Sequence, residues 1–127
     1  MEPHFNKHYT LEEARALLPL VRRWLEQLGE VRSELEKHEK QLAALAEPGR
    51  DLGGPPVNAW VRVMAAAREI LLEFQRREIL LKDADRGLVD FPAIREGKEV
   101  FLCWEKDEDD IEFWHDLDAG YSGRERL

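Results

Sequence analysis

The first part of the chain carries an apolar stripe with the period of an α-helix. Apolar residues alternate at spacings of three and four, which places them on one side of a helix that buries this side against a partner helix. The stripe comprises Leu11, Ala14, Leu18, Val21, Leu25 and Leu28 and, after a register shift near Gly29, Val31, Leu35, His38, Leu42 and Leu45. Thr10 and Glu13 have the spacing of a capping box, so we expect the helix to begin at about residue 10. Pro19 lies within the pattern and predicts a kink rather than a break.

A connector rich in Gly and Pro follows at residues 47–56 and predicts a loop. A second helical pattern then runs from about residue 58 to about residue 80. Its apolar face is formed by Trp60, Met64, Ala67, Leu71 and Phe74. Two amphipathic helices joined by a loop pair antiparallel, in the manner of a coiled coil. Because the first helix is longer, part of its seam needs cover from the strands or from a second chain, which favours a homodimer.

The pattern changes after residue 86. We predict strands at residues 88–91, 100–104 and 111–115, with the second and third joined as an antiparallel hairpin across the acidic linker 105–110. In the second strand, Val100, Leu102 and Trp104 share the face opposite Phe101 and Cys103, so we expect the sheet to be covered on both sides. The predicted fold is therefore α+β in a single domain, residues 1–127. A long antiparallel helical hairpin at about 10–82 precedes a small antiparallel β-sheet at about 86–127.

The net charge of −8 lies wholly in the second segment, since residues 83–127 carry fourteen acids and six bases. Nucleic-acid binding requires the opposite balance and is disfavoured. No apolar run reaches the ~20 residues that cross a bilayer, and no charged segment precedes an apolar stretch as in a secretory signal. The single Cys103 excludes an internal disulfide and fits a reducing compartment. We therefore expect a cytoplasmic protein with no membrane partner.

The densest group of potential metal ligands surrounds His115. Asp116 is adjacent, Asp118 is two residues further, and Cys103 lies on the neighbouring strand. Imidazole and carboxylate together suit zinc, manganese or iron, so His115, Asp116 and Asp118 are the candidate ligands of a divalent metal ion. Adjacent strand residues point to opposite faces, so this site requires the strand to end at His115. A structural role is favoured over it, in which His115 hydrogen-bonds a backbone carbonyl or Asp90 and holds the tail in place.

A second candidate site combines Arg86, Asp90 and Arg124 as a small anion-binding pocket, because guanidinium groups bind planar oxyanions through paired donors. Structural salt bridges between the same residues are the commoner arrangement. The acidic run at 107–110 predicts a solvated hairpin tip. No nucleophile motif and no Gly-rich phosphate loop is present, so the catalytic residues are unknown and the sequence does not decide whether the protein is an enzyme.

Several short motifs, in order, resemble the bacterial family known as domain of unknown function 2203. They are TLEEA at 10–14 with LLP at 17–19, RGLVDFPA at 86–93, LCW at 102–104, WH at 114–115, DAG at 118–120 and GR at 123–124. The resemblance covers nearly the whole chain and implies the order of the elements, but no activity. The leading hypothesis is a non-enzymatic cytoplasmic interaction or assembly module that self-associates through its helices. The alternative is a metal-binding protein or metal-dependent enzyme with a site around His115 and nearby carboxylates.

Overall fold

The fold is a helical hairpin followed by a five-stranded sheet. A computed structural model describes residues 2–45 and 55–127. The elements are α1 (Leu11–Leu45), α2 (Pro55–Arg76), β1 (Leu80–Asp83), β2 (Leu88–Arg95), β3 (Lys98–Glu105), β4 (Phe113–Asp116), a 3-10 turn (Tyr121–Gly123) and β5 (Glu125–Arg126). All strand pairs are antiparallel and follow chain order from β1 to β5. The predicted α+β architecture is confirmed. The predicted connector lies outside the described residues apart from Pro55 and Pro56, which begin α2.

Helix α1 begins at the predicted capping box. The Glu13 amide donates to Thr10 Oγ1 over 3.1 Å, and the Thr10 amide donates to Glu13 Oε1 over 2.9 Å. Two amide donors at the helix start are thereby satisfied. The helix continues through Pro19 without a break.

Helix α2 ends at Arg76 rather than at about residue 80, and a strand follows that the sequence pattern did not predict. The Ile79 amide donates to the Phe74 carbonyl and the Glu78 amide to the Gln75 carbonyl, both over 3.0 Å. These are the two hydrogen bonds of a Schellman motif, with Glu78 in the left-handed region at φ 54°. Because this position holds Glu rather than Gly or Asn, the usual sequence signal for a helix end is missing.

One face of the sheet and the start of α1 form the core. Val100, Leu102 and Trp104 of β3 share this face, as predicted, and Trp104 is fully buried. The cluster also contains Ala14, Leu18, Val21, Val89, Phe91, Ala93 and Ile111. Thus the first part of the α1 stripe packs on the sheet.

Of the two covers expected for the excess length of the first helix, the strands and a second chain, the structure shows the strands. Helix α1 has 35 residues and α2 has 22, but the sheet covers the unmatched part of α1. The rings of Trp24 and Phe74 meet with their centroids 4.9 Å apart where the hairpin joins the sheet. Beyond Leu25, no described side chain of α1 is buried. The part of the hairpin that no other described element covers is its far part, named here the helical arm: residues 28–41 of α1 with residues 57–71 of α2.

The other face of the sheet is covered by both ends of the chain. Phe5 packs on Phe101 of β3 at 5.5 Å between ring centroids, and the Arg124 guanidinium lies 4.0 Å from the centre of the Phe113 ring in β4. The prediction of cover on both faces is confirmed, although the covering N-terminal segment was not foreseen. None of the described helices combines the length and apolar character needed to span a membrane.

Candidate functional site

Three neighbouring strands bring an aspartate, a cysteine and a histidine together inside the sheet. Asp90 on β2 is paired in register with Cys103 on β3, while His115 on β4 is opposite Phe101. The side chains of Asp90, Cys103 and His115 therefore share one face. Each offers a ligand atom within 4.8 Å of the other two, and the residues are only 1–2% exposed. We refer to these three residues as the buried triad.

His115 uses both of its ring nitrogens. Nδ1 lies 2.7 Å from the backbone carbonyl oxygen of Asp116, and Nε2 lies 3.1 Å from each carboxylate oxygen of Asp90. A carbonyl can only accept, so Nδ1 carries a proton. Both partners predicted for His115, a backbone carbonyl and Asp90, are therefore observed.

Cys103 is held as a neutral thiol. The pKa of Cys103 is raised to about 12, mainly by burial and then by the neighbouring Asp90 charge, while Arg124 acts in the opposite direction. A thiol rather than a thiolate is a poor nucleophile. With its proton in place, Cys103 is a small buried side chain on this face of the sheet.

Aromatic rings close the triad on one side. The Phe101 ring lies 5.4 Å from the His115 ring, and Phe5 packs on Phe101 in turn. The N-terminal segment that carries Phe5 is tied to β3 through Glu99, which accepts hydrogen bonds from the amides of His4 and Phe5. Access to the triad from this side requires the segment to move.

The other two predicted metal ligands lie elsewhere. Strand β4 continues through Asp116, whose Oδ1 forms an ion pair with Lys98 Nζ at 2.8 Å. Asp116 and Asp118 line a surface cavity of about 580 Å³ with His4, Lys82 and Phe101 among the other lining residues. The grouping of His115 with Asp116 and Asp118 stays a prediction, whereas the structure groups His115 with Asp90 and Cys103.

Of the three predicted anion-binding residues, the two arginines lie close together, whereas Asp90 has a different partner. The guanidinium groups of Arg86 and Arg124 both lie over the Tyr121 ring, at 4.4 and 4.6 Å from its centre. Arg86 is paired with Glu105 at 3.0 Å and Arg124 with Glu108 at 2.7 Å. Asp90 faces His115 instead. The shared pocket stays a prediction, and any anion would compete with these two internal carboxylates.

The acidic linker is more ordered than predicted. The Glu108 carbonyl accepts the indole N–H of Trp104 over 2.9 Å, and Asp110 pairs with Arg15 at 2.8 Å. Asp107 and Asp109 remain exposed. Only Asp107 and Asp109 form the solvated tip that we expected. Asp110 and Glu108 are instead paired with Arg15 of α1 and Arg124 of the C-terminal tail.

The family model described as Uncharacterized conserved protein (DUF2203) matches residues 7–127. The chain belongs to this family. Comparisons with curated proteins and with solved structures gave no match. The DUF2203 match spans the hairpin, the sheet and all three residues of the buried triad, and it confirms the resemblance drawn from the short motifs.

The sequence of this DUF2203 member singles out all three residues of the triad, but it does not predict that the three lie together. Sequence patterns place Asp90 beside His115 or in the anion pocket, and Cys103 on the strand next to His115. What brings them together is the pairing of Asp90 with Cys103 and of Phe101 with His115. The two-residue turn between β2 and β3 was the available signal for the first of these pairings.

Proposed function

We propose that this chain is a non-enzymatic interaction module whose helical arm binds the arm of a second copy. The observation that carries the proposal is an exposed apolar stripe on α2. Val61 is 53% exposed, Met64 41% and Leu71 47%, and the three recur at helical spacing. Large apolar side chains grouped on a surface mark a site of protein association.

The predicted core face of α2 supports this proposal. Met64 and Leu71 belong to the face expected to be buried, together with Phe74, yet Phe74 is the only buried side chain among the described residues of α2. Among residues 2–45 and 55–127, no further layer receives the remaining apolar residues of this two-helix arm. A second pair of helices supplies that layer in a four-helix bundle.

The arm offers a groove as well as a ridge. Next to the exposed stripe, a groove of about 450 Å³ is lined by Leu28, Leu35, Ala67 and Leu71, with Gly29 leaving room for an incoming side chain. Arg32, Asp85 and Lys106 form the charged part of its lining, where the arm meets the sheet. In a dimer with two-fold symmetry, the exposed stripe of each copy packs into the groove of the other, so the same surface forms both sides of the interface. A second copy is therefore the occupant to which the proposal commits.

Charge on the two helices favours the same arrangement. Residues 28–41 of α1 contain four acidic and three basic side chains, so this part of α1 has a net negative charge. Residues 57–71 of α2 contain Arg62 and Arg68 but only one acid, Glu69, so this part of α2 has a net positive charge. Packing α2 of one copy beside α1 of the other therefore sets unlike net charges together. Complementary charge of this kind fixes orientation more than it adds affinity.

The buried triad also supports a role without catalysis. His115 is engaged at both nitrogens, Cys103 holds its proton, and the aromatic rings of Phe5 and Phe101 close one side. A general base or a nucleophile must reach its substrate, which the closed cluster does not permit without movement.

Sedimentation velocity over a concentration series tests the self-association. We expect a dimer for the native chain, and at least about tenfold weaker association for Met64→Glu and Leu71→Glu, because each places a charge in the apolar contact. Arg23→Glu is the matched control, since Arg23 is exposed on α1 outside the arm. A native chain that stays monomeric up to its solubility limit would overturn the proposal.

We also propose a cytoplasmic location. The chain has a single cysteine, which is buried as a free thiol. Proteins with free thiols and no disulfides are typical of reducing compartments. Fractionation of cells that express the chain tests this, and recovery outside the cytoplasmic fraction would contradict it.

A further inference from the structure

We propose that Asp90, Cys103 and His115 together bind one divalent metal ion of the zinc type. This inference is independent of the helical arm and rests on the sheet alone. The three ligand atoms lie within 4.8 Å of one another on three adjacent strands, so no loop has to rearrange to bring them together. Sites on paired strands hold their ligands more rigidly than sites on loops.

The distances suit direct coordination. Nitrogen and oxygen ligands bind zinc at ~2.0–2.1 Å, so two such donors at a tetrahedral angle lie roughly 3.3 Å apart. His115 Nε2 is 3.1 Å from either oxygen of Asp90, within a few tenths of an ångström of that separation. A metal ion between them would require only a small outward shift of either side chain.

The orientation of His115 is already that of a metal ligand. Nδ1 donates its proton to the Asp116 carbonyl over 2.7 Å, which directs Nε2 towards Asp90 and Cys103. Metal-binding histidines usually donate their second N–H to a carbonyl or carboxylate in this way, and this contact fixes the ring. The Asp116 backbone thus orients the histidine, whereas its side chain, which was predicted to be a ligand, pairs with Lys98.

Charge balance selects a divalent ion. A thiolate, a carboxylate and a neutral imidazole around a charge of +2 give a net charge of zero. A buried dication would therefore be neutralised by its own ligands, without an unpaired charge in the sheet.

The donor set selects the type of ion. A thiolate with an imidazole suits zinc and cobalt, whereas calcium and magnesium prefer oxygen ligands in larger number. Three protein ligands leave a fourth position on a tetrahedral ion. Because the triad is closed, we expect loading to be faster when the protein folds in the presence of the metal than when metal is added afterwards.

Refolding under reducing conditions with Zn²⁺ or Co²⁺, followed by dialysis, tests the site. We expect about one zinc per chain by elemental analysis, and a thiolate-to-cobalt charge-transfer band in the near ultraviolet. The cobalt spectrum of the native chain decides whether Cys103 is a ligand without the use of any variant. A folded native chain that takes up neither ion would overturn the proposal.

Variants then assign the ligands. Cys103→Ser and Asp90→Asn change few atoms, and each is expected to weaken zinc binding by at least about tenfold while circular dichroism shows a native fold. His4→Asn is the matched control, because His4 is an exposed histidine away from the triad. Zinc binding that survives both triad variants but is lost with His4→Asn would assign the metal to the N-terminal segment and refute the triad. The Met64→Glu variant, which is expected to weaken the dimer, should still bind zinc normally. Loss of zinc binding can therefore be distinguished from loss of self-association.

Discussion

Nε2 of His8 donates a hydrogen bond to the carboxylate of Glu99 over 2.8 Å and ties the N-terminal segment to β3. The His4 amide, followed by the His8 ring and the Phe5 amide, lowers the pKa of Glu99 from 4.5 to about 2. A carboxyl group whose pKa is lower in the folded state stabilises that state above its unfolded pKa. This contribution is therefore complete above pH 4.5 and is lost progressively as the pH falls towards 2.

We accordingly predict that Glu99→Gln lowers the free energy of unfolding most above pH 4.5, and that the difference from the native chain disappears as the pH approaches 2. Urea unfolding across this range measures the difference. Hydrogen exchange should also show faster exchange at the amides of His4 and Phe5. Glu125→Gln serves as the control, since Glu125 is exposed at the far edge of the sheet. A gap between Glu99→Gln and the native chain that does not change with pH would refute the role of the ionised carboxylate.

Arg124 is predicted to be the main attachment of the C-terminal tail. Its side chain is 9% exposed, pairs with both oxygens of Glu108 and stacks on Phe113. Removing it in Arg124→Ala leaves a partly buried carboxylate without its partner, so we expect a loss of about 2 kcal/mol in the free energy of unfolding. Chemical denaturation measures this loss.

Arg126 provides the matched control for Arg124. Its guanidinium also lies over Phe113, at 5.2 Å, but its side chain is 72% exposed. We expect Arg126→Ala to change the free energy of unfolding by less than about 0.5 kcal/mol. Equal effects of the two substitutions would show that burial of Arg124 and its pairing with Glu108 contribute nothing.

The turn between β2 and β3 offers a stabilising substitution. Arg95 pairs with Lys98 across two turn residues, Glu96 at φ 52° and Gly97 at φ 77°. Two positive φ angles are typical of a type I′ turn, which favours Asn followed by Gly. Glu96→Asn should therefore raise the free energy of unfolding by about 1 kcal/mol, as measured by thermal or urea unfolding.

Gly97, the next residue of the turn, tests whether the positive φ angles control its stability, because a substitution there should destabilise the protein. A methyl group added at Gly97 would meet no atom within 4 Å, so the cost of Gly97→Ala comes from the backbone alone. We expect this cost to be about 1 kcal/mol. If Glu96→Asn destabilises the protein, or Gly97→Ala leaves it unchanged, backbone strain at this turn is not the controlling factor.

The helical part of the fold was predictable because its signals are local. Thr10 and Glu13 satisfy each other within one turn, and every described member of the α1 stripe up to Leu25 is buried or half-buried. Strand β1 was missed because Leu80 and Leu81 continue the helical pattern and Glu78 conceals the helix end. Strand β5 was missed because its two residues, Glu125 and Arg126, are both charged and exposed.

The buried triad was only partly predictable, because it depends on pairing between distant residues. The alternation of side chains along a strand correctly predicts that His115 and Asp116 point to opposite faces of the sheet. The predicted hairpin also correctly places Cys103 on the strand next to His115. The sequence did not show that β4 continues through Asp116, which keeps that carboxylate away from the His115 ring. Nor did it show that Asp90 is paired opposite Cys103, since register follows from the turn between the strands.

The chain-order pairing of the strands has a consequence for synthesis on the ribosome. Asp90 and Cys103 emerge before His115, and β2 and β3 can pair once β3 has left the ribosome. Until β4 is added, Asp90 lacks its hydrogen-bond partner His115, so water must still reach this carboxylate in the nascent sheet. This face of the sheet therefore becomes dry only when β4 pairs with β3.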